Sequence, residues 1–375
     1  MSGFVGCAIA ALQVLQAYDP GHDLPALRRK HAAGDLIELG SNENAWGPSP
    51  KALAALRSVK DAETFRYPDP MGVALRQRLA AIHQVAIDEI VLGNGSHEIL
   101  MQLAQVFCAP GDELVHSRFG FAVYPISARA VGATPIAADA MAADSQMPLG
   151  HDLDALFDAI STRSKLLCMA NPNNPTGTWF SLAQLTAFMQ RVPRHLPVVL
   201  DEAYIEFADA PGLQSALAIR NRFPNLVVTR TFSKAFGLAG LRVGYAIAHR
   251  DIIDLINRLR ESFNTNGLAL LAAEAALQDR SHLKTVVTNT RRERDRVTVV
   301  LRGRGLNVLP SQGNFVLIDF GVEAAPIEAD LLRQGIVVRP MLAYGLPHCL
   351  RVTVATAAEN DRFLQALSVP SGLSA

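Results

Sequence analysis

Cysteine is scarce in this chain of 375 residues: Cys7, Cys108, Cys168 and Cys349 stand alone. No CxxC pair and no cysteine–histidine spacing is present, which excludes a zinc site or a disulfide framework and fits a reducing, cytoplasmic setting. Charge is also sparse, at 19% of residues, and it cancels: 35 Lys and Arg stand against 35 Asp and Glu. With no basic excess to release counterions, nucleic acid is excluded as a partner held by phosphate attraction. No apolar run reaches the length of about 18 residues that a membrane helix needs. The apolar start from Phe4 to Leu15 is interrupted by Gln13, followed by Gln16, and no Lys or Arg comes before Arg28. It reads as an N-terminal helix or arm, not a secretory signal.

What is abundant is apolar: 49% of residues. Such a chain can bury a large core, and its length suggests two domains. Low charge also suggests that part of the surface is covered in an oligomer.

Short apolar runs at Glu89–Leu92, Glu113–His116, Lys165–Ala170, Pro197–Leu200, Asn225–Arg230 and Leu241–Ala248 alternate with helical patterns such as Glu98–Phe107 and Ser181–Arg191. Each run is bounded by Gly, Pro, Asn or Asp, as strands buried on both faces are. The alternation predicts an α/β fold with a mostly parallel, doubly wound sheet. Further on the pattern changes. Long helices are expected over Arg250–Leu277 and Leu283–Arg302, then strands at Asn314–Asp319, Gly335–Arg339 and Leu350–Ala355, with helices at Pro326–Gln334 and Ala358–Leu367. The expected organisation is a large α/β domain over 41–266, and a smaller α+β domain made of 267–375 with the N-terminal arm 1–40.

In open α/β sheets ligands bind beyond the carboxyl ends of the strands, and here those ends are polar. Lys234 follows an apolar strand; an amine lifted from solvent beside another cation becomes a nucleophile able to form a Schiff base. Asp201 ends a buried run and needs a partner, for which the protonated nitrogen of a pyridine ring would serve. Tyr204, three residues on, can reach a phenolic oxygen on such a ring. Asn174 sits in a heptapeptide of turn formers and offers an amide donor. GNGSHE (Gly93–Glu98) follows a strand and opens a helix, a place for phosphate; Glu98 stands where a dinucleotide fingerprint needs its third glycine. Ser233 and Arg242 can complete a cup for one phosphate, and Phe121 can stack on an aromatic ring.

RTFSKAFGLAGLRVGY (Arg230–Tyr245), ANPNNPTGT (Ala170–Thr178) and DEAYIEF (Asp201–Phe207) resemble the fold-type I pyridoxal-phosphate aminotransferases, and among them the histidinol-phosphate aminotransferase family. SNENAWGP (Ser41–Pro48), FRYPDP (Phe65–Pro70), FAVYP (Phe121–Pro125), GNFVL (Gly313–Leu317) and LRVTVAT (Leu350–Thr356) extend the likeness from Tyr18 to the last helix.

The resemblance implies pyridoxal 5'-phosphate as cofactor. Lys234 would hold it covalently and later move a proton. Asp201 would pair with the ring nitrogen, Tyr204 and Asn174 with the ring oxygen, and Phe121 with the ring face. Ser96, His97, Thr231, Ser233 and Arg242 would hold the phosphate. Tyr67 would reach the cofactor of a second subunit, making a homodimer the catalytic unit. Arg339 and Arg351 would bind anionic substrate groups, with Asn44 lining the pocket. The implied reaction passes an amino group from histidinol phosphate to 2-oxoglutarate; arginine suits both the phosphate and the carboxylates. The chain departs from the family at His97, Ala355 and Trp46. A large ring at Trp46 suggests the alternative of an aromatic or specialised amino donor. A lyase of the same fold and a non-catalytic binder stand further off; the intact Lys234, Asp201 and Arg242 speak against the binder.

Overall fold

The computed structural model describes residues 3–15, 17, 21–30, 36–60 and 65–368. Tyr18, Asp19 and Pro20, where the family likeness begins, lie outside the described residues, as does Gln16.

Among the described residues thirteen strands form three sheets. They are β1 (Ile37–Glu38), β2 (Ile90–Gly93), β3 (Glu113–Ser117), β4 (Thr134–Ala138), β5 (Ser164–Ala170), β6 (Val198–Asp201), β7 (Leu226–Thr231), β8 (Gly244–Ile247), β9 (Asn307–Val308), β10 (Phe315–Asp319), β11 (Ile336–Val337), β12 (Arg339–Pro340) and β13 (Cys349–Thr353). The large sheet has the order β2-β8-β7-β6-β5-β3-β4. Only β8 runs against its neighbours; the pairs β7–β6, β6–β5, β5–β3 and β3–β4 are parallel. The carboxyl ends of β2, β5, β6 and β7 therefore meet along one edge, and the start of β8 joins them there.

β2, β3 and β6 are buried along their whole length, which is why they read as continuous apolar runs. Helices cover both faces, filling one with Leu100, Leu103 and Ile253 and the other with Leu185, Phe188 and Met189. The edge strand β4 was not expected: Pro135 and its partial exposure hide the pattern.

Two expectations need correction. Arg250–Leu277 is not one helix but two, Arg250–Leu259 and Gly267–Leu277, because the Asn266 side chain accepts from the Ala269 N–H and starts the second. The run from Leu241 begins as strand only at Gly244; Ala239–Leu241 forms a 3₁₀ turn, and Arg242 takes a left-handed φ of 57°.

The second sheet, β12-β13-β10-β9, packs with the helices Ala325–Arg333 and Ala357–Ala366 around Val316, Ile318, Phe320, Leu331, Val352 and Phe363. Ile37 and Leu39 join this cluster, and β1 pairs with β11. By contrast, Gly267–Leu277 buries Ala269, Ala272, Ala273 and Ala276 with Leu75 of the helix Val73–His83 and with Ile90 and Tyr245 of the large sheet.

Candidate active site

A cavity of about 390 Å³ opens at the polar edge of the large sheet, facing the second sheet. Its size suits a small organic ligand. Among the sequence-predicted residues, Ser96, His97, Phe121, Asn174, Asp201, Tyr204, Thr231, Ser233, Lys234, Arg242, Arg339 and Arg351 all line it.

Lys234 is half-buried, and its Nζ donates to the Ser41 carbonyl at 3.0 Å. Burial, reinforced by the guanidinium of Arg351, lowers its pKa to about 7. Asp201 ends β6 with 4% exposure and accepts from Thr229 Oγ1 at 3.0 Å. Burial raises its pKa to about 6 despite that bond. Behind it, buried Glu202 is neutralised by Arg230, at 2.7 Å.

Tyr204 is held by Asn42, whose Nδ2 donates to the phenolic oxygen at 3.0 Å, and by Phe315 against its ring edge. Asn42 itself adopts a left-handed φ of 53°, and its N–H donates to Thr353 Oγ1. Asn174 lies in a pinned loop: Asn173 Nδ2 donates to the Phe119 carbonyl and to Thr176 Oγ1, and Asn171 Nδ2 to the Phe180 carbonyl.

The cup at Gly95–Ser96 is built by close backbone approach. A Cβ at Gly244 would stand 2.4 Å from the Ser96 nitrogen, and one at Gly95, whose φ is 79°, would stand 2.5 Å from Arg242 Nη2. Arg242 donates to Ser233 Oγ at 3.3 Å, and Thr231 Oγ1 donates to the same oxygen at 3.0 Å. Glu98, in the helix Ser96–Phe107, accepts from the Asn94 N–H and from Asn264 Nδ2 and so anchors the loop. Burial, together with Arg242, lowers the pKa of His97.

Arg339 on β12 and Arg351 on β13 are direct register partners. Arg351 donates to Asn174 Oδ1 and, at 2.7 Å, to the Gly40 carbonyl. Gly21 packs against the Arg339 guanidinium, closer than any side chain there would allow.

Three predicted residues lie elsewhere. Trp46 packs against the cluster of Tyr204, Phe207, Ala235 and Phe315, behind the cavity wall. Asn44 spends its amide on the Ala235 and Gly47 carbonyls and its oxygen on the Trp46 N–H, fixing this segment from outside the cavity. Tyr67 is 82% exposed and stacks on Phe263 at 4.5 Å, away from the cavity of its own chain. Sequence reasoning in turn missed Ser41, Asn42 and Glu43, which line the cavity, and Thr229 and Asn314 behind it. The first three lie in SNENAWGP, where Asn44 drew attention instead.

A family model for aminotransferase class I and II matches residues 34–367. The chain belongs to this family. It is 46% identical to histidinol-phosphate aminotransferase 2 of Pseudomonas fluorescens over 371 residues, 98% of each chain. The protein of the same name from Pseudomonas aeruginosa is 45% identical over 373 residues, also 98% of each chain. Among solved structures, the histidinol-phosphate aminotransferase of Sinorhizobium meliloti in complex with pyridoxal-5'-phosphate superposes with a TM-score of 0.84 at 30% identity, over 96% of each chain. The aminotransferase fold of this family accounts for the large, mostly parallel sheet. No helix among the described residues is long and apolar enough to cross a membrane, and none of their side chains cluster as metal ligands.

Proposed function

We propose that this chain transfers an amino group from histidinol phosphate to 2-oxoglutarate, with pyridoxal 5'-phosphate as cofactor. The observation that carries the reading is one cavity in which a lysine of lowered pKa faces a buried acid on one side and two paired arginines on the other.

The residues fit the cofactor. A buried carboxylate whose ionised form is disfavoured calls for a cationic partner, and Asp201, raised by burial although Thr229 and the Ala203 N–H donate to it, is such a group. The Gly95–Ser96 cup is shaped so that backbone reaches a phosphate, with Ser96, Thr231, Ser233 and Arg242 around it. Phe121 offers a ring face; Tyr204 and Asn174 offer donors. The bound cofactor supplies an electron sink that stabilises negative charge on the substrate carbon.

The chain supplies the rest. With a pKa of about 7, Lys234 Nζ is substantially neutral at physiological pH, so it can attack a carbonyl carbon and take up or return a proton at the substrate carbon. The Ser41 carbonyl orients that nitrogen. Arg351 and Arg339 bind the anionic groups of both substrates by planar, bidentate contacts. Arg351 also fixes Asn174 and thereby links substrate binding to the cofactor side of the cavity. Trp46, the residue that suggested an aromatic substrate, packs against the cluster that holds Tyr204 and is not itself among the lining residues of this chain's cavity.

A homodimer is the proposed catalytic unit, with Tyr67 serving the second subunit. The two proposed domains meet along the helix Gly267–Leu277, whose buried alanines share a cluster with Ile90 and Tyr245 of the large sheet. The deciding experiment mixes purified protein with histidinol phosphate and 2-oxoglutarate and measures glutamate. Turnover that Lys234→Ala abolishes is expected. No turnover, or phenylalanine preferred by orders of magnitude, would overturn the reading.

A further inference from the structure

Histidinol phosphate presents three recognisable groups: an amine, a phosphate and a ring that carries a nitrogen-bound proton. The amine goes to the reacting centre and the phosphate to arginine. The ring N–H needs an acceptor, and a buried donor left without one is costly. Most polar acceptors in the cavity are already engaged. The Ser41 carbonyl takes Lys234, Tyr204 takes Asn42, Asn174 Oδ1 takes Arg351, and Asn42 Oδ1 takes Thr353. Asp201 lies buried with Thr229 upon it.

Glu43 is the other carboxylate of the lining. It is exposed, and its charge acts on Lys234, favouring the protonated amine against the effect of burial. Its backbone is nevertheless fixed, because Asn314 Nδ2 donates to the carbonyls of both Asn42 and Glu43, at 3.1 and 3.2 Å. The cavity otherwise carries Lys234, Arg242, Arg339 and Arg351. A carboxylate among these cations opposes glutamate and 2-oxoglutarate, each with two carboxylates. It favours a substrate whose side chain ends in a nitrogen donor.

We propose that Glu43 is the specificity-determining residue that accepts the ring N–H of the amino donor and so distinguishes an imidazole-bearing substrate from glutamate in a shared cavity. This rests on the histidinol-phosphate reading above.

The test follows each half-reaction separately on the holoenzyme by the cofactor's absorbance, in wild type, Glu43→Ala and Glu43→Gln. Glu43→Ala is expected to raise the apparent Kd for histidinol phosphate about 10- to 100-fold, the range of a lost hydrogen bond to a charged group, while that for glutamate is unchanged or falls. Glu43→Gln keeps an acceptor oxygen and should show a smaller rise. An unchanged affinity for histidinol phosphate, or equal losses for both substrates, overturns the proposal; equal losses would mean that Glu43 acts through Lys234. Failure of wild type to react with histidinol phosphate overturns the underlying reading instead, and this inference with it.

Discussion

Asp201 and Lys234 carry opposite burdens, and each leaves a mark on stability. Asp201 has its folded pKa raised to about 6, so between about 4 and 6 the folded chain holds more protons than the unfolded one. Stability of the cofactor-free protein from this group therefore falls as pH rises through that window. Lys234 is lowered to about 7, so the unfolded chain holds more protons between about 7 and 10.5, and its contribution rises with pH there. The prediction is that Asp201→Asn, which keeps an acceptor for Thr229, stabilises the cofactor-free chain at pH 8 by up to about 3 kcal/mol while nearly abolishing transamination. Thermal melts at pH 5 and pH 8 check it: the gain must be larger at pH 8. A destabilised Asp201→Asn chain at pH 8 would show that the carboxylate is paired even without cofactor. At this scale the sequence was most legible where residue type alone constrains chemistry. A lysine after an apolar strand and an acid at a strand end announce themselves. Glu43, Asn42 and Thr229 do not, since their roles come from what Asn314, Tyr204 and Asp201 bring to them across long stretches of chain.

The reversed strand β8 is the element that shapes the cup at Gly95–Ser96, where the phosphate is proposed to sit. Gly244 sits in register between Gly93 on β2 and Thr231 on β7, with its missing Cβ pointing at the Ser96 nitrogen. All three nearest atoms to that Cβ are backbone, so nothing flexible can yield. Gly244→Ala should then cost about 1–3 kcal/mol through overpacking and loosen cofactor binding, read as faster loss of colour on dialysis. Gly303 ends the helix Arg280–Gly303 with open space around it. Gly303→Ala should leave the cofactor in place and add up to about 1 kcal/mol of stability. If both variants lost cofactor alike, close approach at Gly244 would not be the cause. The helices and buried strands were legible from periodicity, yet the break between Leu259 and Gly267 was overlooked. Its signal was present in Asn264, Thr265 and Asn266, two asparagines flanking a threonine just before a glycine, and Asn266 caps the new helix. The apolar residues on both sides masked it.

At the scale of the whole molecule the surface carries an unusual apolar set near the mouth of the helix break. Phe65 is 72% exposed, Tyr67 is 82% exposed and stacked on Phe263, and Leu268 is 40% exposed. Isolated apolar residues are ordinary on surfaces, but neighbouring aromatics at such exposure mark an interaction surface. Low charge in the sequence points the same way, whereas how copies of the chain would pair is beyond the reach of a single chain's pattern. If Tyr67 completes the cavity of a second copy, defects at Tyr67 and at Lys234 belong to different subunits of one site. Tyr67→Ala should bind cofactor weakly, and Lys234→Ala should be inactive. Unfolded together and refolded, or co-expressed, the two variants form hybrids in which the Lys234 of one subunit meets the intact Tyr67 of the other. A two-fold dimer then regains one sound site in each hybrid, and random pairing restores roughly a quarter of the wild-type rate. The rate is measured at limiting pyridoxal phosphate, so that the Tyr67→Ala sites stay empty. Recovery no greater than the sum of the separate variants would place Tyr67 with the cavity of its own chain and remove the argument for shared sites.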